Sequence, residues 1–271
     1  MHNFKVKLIA EIGWNHMGDI ELAEKMIQSA ALNGADICKF QTWNEKNLKS
    51  GDWDKDGRRE VYKKAQLSID DHKKLIQICK SYNVEFLTSV FNIKDIQFLK
   101  KLNLKMIKIP SHEIYNLKLI EKCISAFNKV LISTGASYWN ELETLSKNID
   151  LSKAVFMHCV SSYPCPIEKV NLPRLILMKN FTNNFGYSGH FTGIDDAIAA
   201  ICLGAIYVEK HFTIDRSLAG RDNKFALLPK DLNRINLFRK NFCQMNTDLG
   251  KDLQECEKDT YKNYRGRWSN E

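Results

Sequence analysis

Two lysines, Lys39 and Lys108, sit inside short apolar runs, Ile37–Gln41 and Met106–Ile109. An ammonium group buried there is costly unless an anion meets it. Glu11 or Glu209 could be that anion, and an internal ion pair would account for either lysine alone. The two together, with hydroxyls at Ser89, Ser111, Ser133 and Ser188 near the ends of other runs, point to a bound phosphate or carboxylate. His190 and His211 close two consecutive runs. Imidazoles on neighbouring strands can share one divalent ion, with water and a substrate oxygen completing its shell. Glu209 could ligate that ion or orient a ligand; alternation along the strand leaves open whether it shares the face of His211.

Something must carry these groups to one place. Eight short apolar segments read as strands: Lys7–Glu11, Ile37–Gln41, Val84–Ser89, Met106–Ile109, Val130–Thr134, Val155–Val160, Asn184–Ser188 and Ile206–His211. Their almost unbroken apolar character suits parallel strands covered by helices. Amphipathic stretches lie between them, with start signals such as Asp19 before Leu22, Met26 and Ile27, and Ser68 with Asp71 before Leu75. Eight strand–helix units in α/β order predict a single TIM (β/α)8 barrel, and no GxGxxG follows the first strand to suggest a dinucleotide fold.

In such a barrel the active face lies where the strands end. Those ends are polar: Glu11 leading to Asn15 and His16; Lys39 and Gln41; Thr88 and Ser89; Lys108 followed by Ser111, His112 and Glu113. Ser133 and Thr134, then His158 with Ser161 and Tyr163, then Ser188, Gly189 and His190, then Glu209 and His211 complete the ring. All are expected at one mouth. The long polar connection from Trp43 to about Leu67 follows the second strand on this face, either as a lid or as a loose surface insertion.

The chain of 271 residues, 44% of them hydrophobic, can bury one sizeable core. No linker composition interrupts it, so one catalytic domain is expected over 1–250, with a polar C-terminal tail over 251–271. The first residues lack the apolar core and cleavage site of a secretory signal, and no run is long enough to span a bilayer. A cytoplasmic protein is expected, which the eight scattered cysteines suit; Cys159 and Cys165 read as buried small side chains. The formal charge of +8 comes from 40 basic and 32 acidic residues, with many lysines on polar helix faces. No basic stripe with interleaved aromatics suggests a nucleic-acid partner.

Several stretches, taken in order, carry a resemblance. They are Ala10-Glu11-Ile12-Gly13 with Asn15-His16, Lys39-Phe40-Gln41-Thr42, Lys108-Ile109 with Ser111 and Glu113, Ser133-Thr134-Gly135, His158-Cys159 with Tyr163-Pro164, and Glu209-Lys210-His211-Phe212-Thr213. Through them the chain resembles the sialic acid (N-acetylneuraminate) synthase family, which includes legionaminic and pseudaminic acid synthases. The resemblance implies condensation of phosphoenolpyruvate with an N-acetylated mannosamine-like aldose, giving a nine-carbon 3-deoxy-2-keto acid and phosphate.

It also implies a manganese or magnesium ion on His190 and His211, polarising the sugar aldehyde. Lys39, Ser89, Lys108, Ser111, Ser133, Ser161 and Ser188 would bind phosphoenolpyruvate, and Glu11, Gln41, Tyr163 and Asp222 would face the sugar. Glu113 is the expected general base for the water that adds to the enol-derived carbon. The chain departs from the family at His112, Ser161, Gly189 and Arg221, which leaves the identity of the sugar open.

Family members usually continue into an antifreeze-like domain whose arginine reaches a partner's site, whereas this sequence stops near Arg265-Gly266-Arg267-Trp268. Either the chain is a barrel-only variant or the second domain lies outside this sequence; for a barrel-only variant, Arg221 or the loop after the second strand is the expected substitute, and a homodimer would have to form through the barrel. Two other readings stay open. One is a 3-deoxy-ulosonate synthase acting on a phosphorylated aldose, with Arg221 and Lys224 for its phosphate. The other is a non-catalytic sugar- or phosphate-binding barrel.

Overall fold

In the computed structural model, which describes residues 5–268, the chain winds eight parallel strands into a closed barrel in sequence order. The strands are β1 (Lys7–Gly13), β2 (Ile37–Thr42), β3 (Glu85–Val90), β4 (Met106–Ile109), β5 (Lys129–Ser133), β6 (Ala154–His158), β7 (Phe185–Gly189) and β8 (Tyr207–His211). Pairing of β1 with β8 shuts the ring, with Glu11 opposite His211. The TIM-barrel expectation holds, and each strand lies within two residues of the segment read from sequence.

Alternation along each strand divides the side chains between two cores. Outward residues pack under the helices in one large cluster that includes Leu8, Ala10, Cys38, Phe40, Ile107, Ile132 and Val208. Inward residues near the strand starts fill the barrel bottom: Ile9, Ile37, Leu87, Met106, Leu131, Val155, Met157 and Tyr207. Continuing inward along the same strands, the side chains turn polar at the far ends. This change of character on one face creates a dry floor beneath a polar mouth.

Helices α1 (Ile20–Leu32), α3 (Ile69–Ser81), α4 (Ile93–Lys101), α5 (Leu117–Ala126), α6 (Trp139–Asn148), α7 (Leu172–Leu177), α8 (Asp195–Cys202) and α9 (Pro229–Met245) sheathe the strands, while α2 (Arg58–Ala65) sits apart on the β2 connection. In α1 the buried set Ala23, Met26, Ile27 and Ala30 falls on one face at helical spacing, and Asp19 caps the first turn through the Glu21 and Leu22 amides. Ser68 and Asp71 form a reciprocal capping box at the start of α3, as their spacing suggests.

The 43–67 connection is a folded insert rather than a loose one. It contains 3-10 turns at Glu45–Asn47 and Asp52–Asp56, followed by α2. Trp43 donates its indole N–H to the Tyr62 carbonyl at 2.9 Å, and Trp14, Trp43 and Tyr62 pack edge to face. Arg59 ties the insert together by bonding Asp54, Glu45 and the Leu48 carbonyl.

The cysteines are all free, and Cys159 and Cys165 are buried as expected. After α9 the chain passes through exposed turns and the short helix α10 (Lys258–Asn263); residues 269–271 of the expected tail lie outside the described residues. No helix among the described residues is long and apolar enough to cross a membrane.

Candidate active site

The polar ends of the inward faces surround a cavity of about 270 Å³. Strand parity decides which residues reach it. Glu11, Lys39, Gln41, Ser89, Lys108, Ser133, Ser188, Glu209 and His211 do, joined by Ser111, Tyr163, His190, Arg221 and Asp222 from the connections. Glu209 and His211, two apart on β8, therefore share the inward face, which settles the question that alternation alone left open.

His112 lines the cavity beside Ser111 as expected, but other neighbours of these residues in sequence do not converge on the mouth. Thr88 bonds Thr42, which bonds His72; Thr134 donates to the Met157 carbonyl; His158 bonds the Val170 carbonyl; Asn15 donates to the Phe212 carbonyl. His16 packs against Phe40 and accepts the Gly18 amide. For Thr42, Thr88 and His158 the reason is strand parity, since odd and even positions of a strand point opposite ways, whereas Asn15 and His16 are held by the turn after β1.

Two expected site residues also stand aside. Glu113 is absent from the cavity lining and accepts a hydrogen bond from Asn116 at 3.0 Å, and Ser161, whose hydroxyl lies 2.7 Å from that of Ser111, is one layer back. Lys224 likewise does not line the cavity, so it does not form a basic pair with Arg221 there.

Four buried charges cross the barrel floor of the mouth. Lys39 lies 2.8 Å from Glu11 and 3.7 Å from Glu209, and Lys108 donates to Glu209 at 2.8 Å. The Lys39–Glu11 contact is close but poorly aligned for a hydrogen bond, so Glu11 Oε2 remains without a directed donor. Ser89 accepts from Lys39 at 3.0 Å, Ser188 donates to Glu209 at 3.0 Å, and Gln41 donates to Glu11 at 2.7 Å.

Burial opposes every charge in this group, and the number of opposite partners decides the outcome. Burial acts against the Glu209 charge, but Lys108 and Lys39 outweigh it and hold the carboxyl at about 2. Glu11 is raised, because burial exceeds what Lys39 returns. Lys39 is also raised: burial lowers it, but it answers two carboxylates, and together they win. Lys108 is lowered, since burial and the nearby Lys39 charge outweigh its single partner, Glu209.

The ion pairs that could explain each lysine alone are thus present. They nevertheless line an open cavity and sum to zero charge, two ammoniums against two carboxylates.

The histidines lie above this network, with His190 and His211 ring centroids 5.4 Å apart. Burial lowers His190 to about 4 and holds His211 well below its ordinary value, so both are neutral, the form that binds a metal. His190 Nδ1 meets the Val160 carbonyl at 2.7 Å, leaving its Nε2 available. His211 Nδ1 is buried without a hydrogen-bond partner, 3.3 Å from Asp222 but off line. Burial raises Asp222 to about 7, helped by the Glu11 charge. An orphaned imidazole nitrogen beside a second neutral imidazole and a carboxyl is a donor set that fits a divalent ion, although no group of three side chains among the described residues is preassembled as a cage.

Gly189 follows from this packing. A Cβ there would lie 2.3 Å from Asp196, which receives Lys210 behind the site at 2.7 Å.

Sequence reasoning missed Trp14, Arg58, Tyr62, Phe91 and Cys159 in the lining. The last of these continues the inward parity of Val155 and Met157. Arg58 and Tyr62 come from α2, and no periodicity within the insert tells which of its charged residues turn inward.

A parallel (β/α)8 barrel with a mouth of lysines, carboxylates, serines and a histidine pair defines a class of carbon–carbon bond-forming synthase. The chain belongs to the NeuB family, whose model matches residues 26–251, and so to the sialic acid synthases. It is 35% identical to the N,N'-diacetyllegionaminic acid synthase of Campylobacter jejuni, over 96% of this chain and 82% of that one. It is 32% identical to the pseudaminic acid synthase of Helicobacter pylori, over 82% of this chain and 69% of the relative. The solved N-acetylneuraminic acid synthetase of Leptospira borgpetersenii superposes with a TM-score of 0.88 at 29% identity, covering 98% of this chain and 94% of that chain. The protein is accordingly an enzyme, a transferase of the synthase kind.

Proposed function

We propose that this enzyme condenses phosphoenolpyruvate with an N-acetylated mannosamine-like aldose, releasing phosphate and a nine-carbon 3-deoxy-2-keto acid. One observation carries the reading: a charge-balanced lysine–glutamate network lies directly beneath a pair of neutral histidines in a single cavity. The floor network is already charge-balanced, so a triply charged substrate seated on it needs further compensation, which a divalent cation on His190 and His211, manganese or magnesium, would provide. When bound, such an ion would polarise the sugar aldehyde and stabilise the developing alkoxide.

The protein groups have separable tasks. Lys39 and Lys108, with Ser89, Ser111, Ser133 and Ser188, are placed to hold the phosphate and carboxylate oxygens, with Ser161 supporting Ser111. Gln41, Glu11, Tyr163 and Asp222 line the same cavity and would face the sugar. The methylene carbon of phosphoenolpyruvate forms the new bond to the aldehyde carbon, whose oxygen takes a proton. Water then adds to the adjacent, phosphate-bearing carbon, giving up a proton, and the resulting phosphate hemiketal expels inorganic phosphate to leave the 2-keto group.

Glu113, on the same turn as the cavity-lining Ser111 and His112, is the candidate base for that water, and Glu11 and Asp222, both raised chiefly by burial, are the alternative carboxyls within the mouth.

With manganese, phosphoenolpyruvate and a panel of N-acetylated and diacetylated hexosamines, phosphate release is expected only when a suitable sugar is present. Silence across the panel, with and without metal, would refute the reading. Mass spectrometry of the product then separates sialic, legionaminic and pseudaminic acids.

A further inference from the structure

Two segments far apart in sequence meet over the cavity. Asp56 ends the 3-10 turn Asp52–Asp56 of the insert, and its Oδ2 accepts from Arg58 Nε at 2.7 Å and from Arg221 Nη1, on the β8 connection, at 3.1 Å. The Arg58 backbone N–H also reaches Asp56 Oδ1, at 3.2 Å. One carboxylate therefore clasps two guanidinium groups, leaving a net positive charge at the rim.

Both arginines line the cavity, as does Tyr62 one helical turn after Arg58. Each keeps donors to spare. Arg58 is bound through Nε alone and Arg221 through Nη1 alone, so two edges of each fork remain without a protein acceptor among the described residues.

Arg59, the next residue, gives the contrast. Its three nitrogens are consumed by Asp54, Glu45 and the Leu48 carbonyl, and it stays out of the cavity. The insert thus spends one arginine on holding its own shape and presents the other to the mouth.

We propose that Arg58 and Arg221 bind the end of the sugar substrate remote from its aldehyde, and that Asp56 is the positioning residue that fixes their relative orientation. This rests on the condensation reading above. The phosphate and carboxylate of phosphoenolpyruvate are taken up by Lys39 and Lys108 on the cavity floor. The rim cations are left for the second substrate, and a donor-only pair selects oxygen acceptors there, either a phosphate ester or an acyl carbonyl. The clasp also explains why the insert folds onto the mouth, since the ion pair joins the β2 and β8 connections directly.

Steady-state kinetics on the manganese-loaded enzyme test this, with phosphoenolpyruvate and each sugar varied in turn. Arg58→Ala and Arg221→Ala should each raise the sugar KM by about ten-fold or more while the phosphoenolpyruvate KM stays within about two-fold, since losing one charge-assisted contact costs roughly a factor of ten. Asp56→Ala should move the sugar KM in the same direction, with Asp56→Glu recovering part of it, as expected of a residue acting through the arginines. Comparing 6-phosphorylated with unphosphorylated sugars identifies the acceptor. A preference for the phosphorylated sugar that Arg58→Ala abolishes assigns a phosphate, and an equal loss on both assigns neutral oxygens; either result supports the clamp. An unmoved sugar KM in both arginine variants, or an equal rise in both KM values, overturns it. A wild-type enzyme that turns over no sugar overturns the condensation reading instead, and this inference with it.

Discussion

Lys39 and Lys108 stand on adjacent strands but one, in the same dry barrel, and burial moves them in opposite directions because one faces two carboxylates and the other only one. The same competition governs the histidines. All six among the described residues are pushed below their ordinary value, chiefly by burial, His16 to about 4. In the unfolded chain a histidine titrates near about 6.5. Between those values the unfolded state binds more protons, so stability rises with pH; the contribution is complete above about 6.5 and is lost as pH falls towards about 4. For His16 the gap amounts to roughly 3 kcal/mol. Urea midpoints should therefore fall between pH 7 and pH 5, and His16→Asn, which keeps an acceptor for the Gly18 amide, should reduce that fall by up to one proton's worth of slope. An unaltered slope would mean that His16 does not titrate on unfolding.

Among the elements, the insert carrying α2 is held, besides the Asp56–Arg221 ion pair and the Trp14 packing, by one close approach. Gly18 has φ +84, and a Cβ there would lie 2.2 Å from the Lys64 carbonyl oxygen in the last turn of α2. A backbone carbonyl cannot swing aside as a side chain would. Gly18→Ala should therefore push the insert off the mouth and speed tryptic cleavage within residues 58–66, where Arg58, Arg59, Lys63 and Lys64 are available. Gly57→Ala is the control: φ is +82 but nothing lies within 4 Å of the added carbon, so it carries only the left-handed backbone cost of about 1 kcal/mol. Equal cleavage rates in the two variants would show that the Lys64 contact does not seat the insert.

For the whole molecule, the proposed reaction links stability to ligand binding through the mouth, since phosphoenolpyruvate and a divalent ion would bind there, where all eight strands meet. Phosphoenolpyruvate with manganese should raise Tm more than either alone, each ligand at 100 times its Kd adding about 2.7 kcal/mol of stability. His190→Ala and His211→Ala should each abolish the manganese increment. Loss in one variant but not the other would show that the two imidazoles are not a shared ligand pair.

The sequence by itself determined the barrel, because eight apolar strands alternating with amphipathic helices admit few other arrangements, and it determined where most polar groups lie along those strands. Strand parity also separated Lys39 and Gln41 from Phe40, in principle, from sequence alone. What it could not show was how connections fold back. The short helix α2 brings Arg58 and Tyr62 to the mouth, Asp56 in the turn before it holds Arg58 and Arg221, and Glu113 turns to Asn116, all within connections whose path the strand–helix pattern does not specify. Nor could it show which of Glu11 and Glu209 each lysine takes, since closing the barrel brings residues more than a hundred positions apart to within 3 Å across its interior, as in Lys108 and Glu209. Periodic elements write their facing into the chain; ion pairs across a closed barrel and the path of an insert exist only once the ring has closed.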